Sequence, residues 1–101
     1  MSRFQLSKEA FADLQAIWEY IFQDNPEAAD RILDEFHEAF SMLARSPKAG
    51  HIRNDLTGQD VLFWPIRSYL IVYTANVRPL CIVRVLHGRR DVRKLLRNRL
   101  P

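Results

Sequence analysis

The chain has 101 residues, 48% apolar and 27% charged, which allows one modest core and a solvated surface but not two domains. A single cysteine, Cys81, excludes an internal disulfide. No apolar run reaches the length of a membrane span or a secretory leader, so a cytoplasmic, reducing compartment is expected. The net charge of +3 is unevenly spread: residues 1–46 carry four basic and nine acidic side chains, residues 77–101 eight basic and one acidic. A basic end of that kind suits an acidic protein, RNA or DNA.

Phe4 and Leu6 alternate with polar neighbours and predict a short first strand. Ser7 is placed to cap a helix, with Glu9 in its first turn where it complements the helix dipole. Phe11, Leu14, Ile17, Trp18, Ile21 and Phe22 then recur at helical spacing and form a wide apolar arc. Asp24-Asn25-Pro26 ends this helix and starts another, since Asn25 suits a cap and Pro26 the first helical position. The second helix places Ala29, Ile32, Leu33, Phe36, Ala39, Phe40 and Leu43 on one face, and Ser46-Pro47-Lys48-Ala49-Gly50 stops it. From residue 60 the period changes: residues 61–66, 69–75 and 80–86 are rich in β-branched and aromatic side chains, separated by short polar breaks. A basic C-terminal helix is expected after Gly88, with Val92, Leu95 and Leu96 on one side.

The order β-α-α-β-β-β implies a single α+β domain over residues 1–101, with a helical hairpin packed on one face of a small, mainly antiparallel sheet. Strict alternation sends Cys81, Val83 and Val85 to one face of the last strand and Leu80, Ile82, Arg84 and Leu86 to the other. Both faces are apolar and two helices cover one, so the second face is expected to need another layer: the C-terminal helix, a second copy or a different protein. Trp18, Phe36 and Phe40 are expected in the core rather than on a base-stacking platform, and Phe63 and Trp64 on opposite faces of the sheet.

The chain has no P-loop, dinucleotide fingerprint, His-Glu-x-x-His or paired cysteines, and His37, His51 and His87 are too scattered to suggest a metal; no cofactor is expected. What stands out is a basic set, Arg53, Arg67, Arg84, Arg89 and Arg90, with His87 and tyrosines at 69 and 73. Arginines clamp phosphates and a histidine moves protons near neutral pH, the toolkit for metal-independent RNA cleavage through a 2′-hydroxyl. The structural alternative is that Arg53 and Arg67 form loop salt bridges and that Arg89, Arg90 and Asp91 pair among themselves. Arg84, amid Ile82, Val83, Val85 and Leu86, must reach solvent, a phosphate or an acid such as Asp60.

The chain resembles the RelE/ParE superfamily of bacterial type II toxins, most closely the ParE-like branch of plasmid stabilisation proteins. The resemblance rests on Ser7-Lys8-Glu9-Ala10 leading to Asp13-Leu14 and Ile17 to Ile21, Asn25-Pro26 with Ala28-Ala29, and Leu43-Ala44 with Ser46-Pro47 and Gly50. It continues through Arg53 and Leu56, Tyr69 to Tyr73, and Ile82 to Asp91. It implies a growth-arresting toxin neutralised in a hetero-oligomer by a ParD-like antitoxin, which alone supplies the contact to operator DNA. The antitoxin is expected on Arg53, Arg67, Ile82, Arg84 and Leu86. ParE-like relatives inhibit DNA gyrase without catalysis, and here the target would meet Arg84, His87, Arg89, Arg90, Asp91 and Arg93. RelE-like relatives cleave mRNA on the ribosome, and that alternative casts Arg53, Arg84 and His87 as catalytic. No tyrosine follows Tyr73, which favours the ParE-like reading. A third version is an inactive member that serves only as a binding module.

Overall fold

The structure, a computed structural model, describes residues 3–88 and Asp91. The expected C-terminal helix and the side chains of Arg89, Arg90 and Arg93 lie outside the described residues. Strand β1 (Phe4–Leu6) leads into α1 (Lys8–Asp24) and α2 (Pro26–Arg45); a 3-10 turn (Pro47–Ala49) and an irregular connection precede β2 (Leu62–Ile66), β3 (Tyr69–Thr74) and β4 (Leu80–His87). The predicted order β-α-α-β-β-β is the one observed.

Each helix starts where its capping chemistry requires. Ser7 Oγ accepts from the Ala10 amide at 3.0 Å, and Asn25 Oδ1 accepts from the Ala28 amide at 3.1 Å with Pro26 at the first helical position. The sheet order is β1-β4-β3-β2, mixed rather than purely antiparallel: β2–β3 and β3–β4 run antiparallel, whereas β1 pairs with β4 in parallel from Phe4↔Leu80 to Leu6↔Ile82. The chain crosses the sheet through the whole hairpin between β1 and the remaining strands, so its first and last strands end as neighbours.

Strict alternation in β4 is broken. The register passes from Tyr73↔Ile82 to Val72↔Arg84, leaving Val83 as an extra residue. Leu80 and Ile82 face the helices before this bulge and Val85 faces them after it, while Val83 and Leu86 pack on the other side. The helix-facing core contains Ala10, Ile32, Phe36, Phe40, Leu43, Ile71 and Tyr73, all nearly inaccessible to solvent.

The second face needs less help than the pattern suggested. Leu56 and Val61, from the connection between the 3-10 turn and β2, fold over it and bury Phe63, Val72 and Leu86. A segment of the same chain therefore supplies that part of the layer. Phe63 belongs to this cluster and Trp64 to the helix side, as opposite faces require. Among the described residues no helix is long and apolar enough to cross a membrane.

Candidate functional site

Beyond Ile82 strand β1 has ended, and the outward edge of β4 would be open. Side chains close it. Ser7 Oγ donates to the Val83 carbonyl at 2.7 Å, the Val85 amide donates to Asp13 Oδ2 at 2.9 Å, and the His87 amide donates to Asp91 Oδ2 at 2.7 Å. Asp13 also accepts from Arg84, through Nε at 2.8 Å and Nη2 at 3.0 Å. Arg84 thus pairs with Asp13 across 71 residues of sequence rather than with Asp60, which instead accepts from Asn76. The hydrogen bonds it donates to Asp13 raise the Arg84 guanidinium above its ordinary value against the opposing effect of burial, and Asp91 and Glu9 add to the rise. Arg84 is a partly buried, compensated cation rather than a free phosphate clamp.

His87 is the last residue of β4 rather than a residue beyond it. It faces the helices beside Tyr69, edge to face, with ring centroids 5.6 Å apart. Its Nδ1 is buried and has no hydrogen-bond partner among the described residues. A groove of about 450 Å³ runs along α1 from Asp13 and Ile17 past Arg84 to His87 and Asp91; a second, of about 320 Å³, lies between Arg31, Glu35, Arg67 and His87. His87 is the side chain the two share with Tyr69.

Among the described residues, the other two candidate arginines, Arg67 and Arg53, are also met by carboxylates. Arg67, held at φ 52° in the β2–β3 turn, reaches Glu35 of α2 at 2.6 and 2.7 Å, and this bidentate contact lowers the Glu35 carboxyl below its usual range. Arg53 binds Asp55 two residues on, at 3.0 and 2.8 Å, and lowers that carboxyl likewise. Arg53 does not join Arg84 and His87. It follows His51, whose backbone pairs with Phe63 on the outer edge of β2, the opposite side of the sheet from the β4 edge that Asp13 closes.

Two groups change role. Tyr73 is fully buried: its hydroxyl accepts from the Gly50 amide at 2.8 Å and donates to the Pro47 carbonyl at 2.7 Å, which ties down the connection after α2 and removes the ring from any substrate. Ile82 and Leu86, expected to meet the antitoxin, are core residues: the helices bury Ile82, and the connection before β2 buries Leu86. Exposed apolar surface appears instead on α1. Phe11 is 62% and Phe22 42% exposed; Trp18, at the intervening helical position, is half-buried, stacks on Phe22 and donates its indole N–H to Asp30. Sequence reasoning placed Trp18 in the core because an apolar arc says nothing of how far a neighbour extends over it. Among the described residues no group of three or more His, Cys, Asp or Glu is placed to hold a metal ion.

A helical hairpin on one face of a mixed four-stranded sheet, with a polar cluster closing the end of its last strand, is the α+β toxin domain that the sequence resembles. The chain belongs to the ParE toxin family: residues 4–92 match the family described as ParE toxin of type II toxin-antitoxin system, parDE. It is therefore a toxin of the type II class, which pairs with an antitoxin. No curated protein matches the chain.

Proposed function

We propose that this toxin arrests growth by inhibiting DNA gyrase in the cytoplasm, without chemistry of its own, and that a ParD-like antitoxin neutralises it. The observation that carries this reading is that Arg53 lies away from Arg84 and His87 and that both arginines are already bound by carboxylates. Arg53 lies beyond β2 and is bound to Asp55; Arg84 lines the helix-side groove together with His87, but its guanidinium is already bound to Asp13. Cleavage of a phosphodiester needs its cations and proton carrier around one phosphate, free to receive its charge. Inhibition by docking needs only a presented surface. The target-facing set is His87 with the basic residues that follow Gly88 in the sequence, Arg89, Arg90 and Arg93.

The exposed row Phe11–Trp18–Phe22 on α1 offers the antitoxin an apolar seat, and the basic C-terminal segment suits its acidic residues. Operator DNA is reached through the antitoxin.

Purified toxin freed of its antitoxin, incubated with gyrase, ATP and plasmid, is expected to abolish supercoiling or accumulate cleaved plasmid. Unchanged supercoiling by protein that still arrests growth, with cut mRNA that disappears in His87→Ala, overturns this reading in favour of a ribosome-dependent nuclease. Absence of arrest on induction leaves only a binding module.

A further inference from the structure

We propose that Asp13 is a positioning residue for inhibition of the target: through Arg84 and the Val85 amide it fixes the end of β4, from which the target-facing residues continue. The proposal deepens the gyrase reading and rests on it.

Three observations converge on Asp13. Its carboxylate receives three hydrogen bonds, from Arg84 Nε, Arg84 Nη2 and the Val85 amide, all between 2.8 and 3.0 Å. The pair is shielded, the two side chains keeping 29% and 17% of their exposure, so it is less screened than a surface ion pair. It also acts where β4 lacks a second strand: β1 reaches only to Ile82, and past that point, among the described residues, Ser7, Asp13 and Asp91 hold the strand on its outer side. Ser7 meets the Val83 carbonyl there and Asp91 the His87 amide. Asp13 holds a backbone group and the adjacent side chain together, and so joins α1 to β4 at the last turn before the effector end.

Charge points the same way. Arg84 has Asp13 bound to it and Asp91 and Glu9 nearby. A target phosphate would have to displace a carboxylate that already satisfies Arg84's fork. Arg84 therefore serves inhibition through Asp13 and the strand end, not by touching the target, and the effect of its loss is contained in that of losing Asp13, which also releases the Val85 amide.

The test compares full-length toxins carrying Asp13→Ala, Arg84→Met and both, with Tyr73→Phe as a destabilised control remote from the β4 end. Half-inhibitory concentration against gyrase is read alongside thermal midpoint and antitoxin affinity. Each single change is expected to raise the half-inhibitory concentration about tenfold or more, and the double change no further than the worse single one. Antitoxin affinity should stay within about twofold, and Tyr73→Phe should inhibit within about twofold of the parent. Parental potency in Asp13→Ala, effects that multiply in the double variant, or an equal loss in Tyr73→Phe overturns the proposal. If Asp13→Ala does not fold, Asp13→Asn keeps the shape and one acceptor, and its parental potency would be equally fatal. Should the parent arrest growth without touching gyrase, the gyrase reading fails by itself, and the same series scored by growth arrest still decides the role of Asp13.

Discussion

Tyr73 and Gly50 make one device. The phenol hydroxyl sits against the Gly50 backbone so closely that a Cβ there would lie 2.5 Å from it and 3.0 Å from the Phe63 carbonyl. A hydroxyl that accepts one hydrogen bond and donates another inside the core holds the connection after α2, and burial pushes the phenol above its ordinary value, so it stays neutral well past physiological pH. Tyr73→Phe strands the Gly50 amide and the Pro47 carbonyl and should cost about 1–3 kcal/mol in urea unfolding with the slope unchanged. Gly50→Ala must push the ring or the strand aside and is expected to destabilise as well. In the sequence Tyr73 is one of several aromatics in a strand, and nothing local marks it as an anchor. Arg53, Arg67 and Arg84 were visible as a basic set, but the carboxylates that meet Arg67 and Arg84 lie 32 and 71 residues away, which spacing along the chain does not show.

At the scale of elements, Ser7 does two jobs: it caps α1 and its hydroxyl donates to the Val83 carbonyl of β4. Ser7→Ala should therefore cost about 1–2 kcal/mol, the upper part of the range for a lost cap, read by chemical denaturation. Arg67 and Glu35 join the β2–β3 turn to α2. The Glu35 pKa is depressed in the folded protein relative to the usual 4.5, so the contribution is present above that value and is lost as pH falls through the folded one. The difference in thermal midpoint between the parent and Glu35→Gln should accordingly be constant from pH 7 to 5 and shrink below about pH 4.5. Helix boundaries were legible because Ser7, Asn25 and Pro26 act locally. The bulge at Val83 was not, because it exists only as a mismatch between β4 and β3.

For the whole molecule, the apolar row on α1 separates two uses of surface. A double change Phe11→Ser with Phe22→Ser should cost about 1–2 kcal/mol of stability, since Phe11 is largely solvated whereas Phe22 is more than half covered and stacked on Trp18, yet weaken antitoxin binding about tenfold or more in calorimetry. The contrasting set, Arg89→Ala with Arg90→Ala, is expected to abolish growth arrest while weakening antitoxin binding less than the first pair does. If the first pair blocks arrest and the second blocks antitoxin, the two surfaces have been assigned the wrong way round.

The family, the order of elements and the helix caps followed from the chain read in one direction, because periodicity, capping and turn chemistry depend on neighbours a few residues apart. Tertiary structure alone decided that Asp13 would meet Arg84, that β1 would lie parallel to β4, that the connection before β2 would cover the second face, and that Ile82 and Leu86 would be core. Each of these joins residues far apart in sequence. Which distant charge or apolar face is met depends on the packing of the whole fold, and a bulge of one residue is enough to change a side chain's partner.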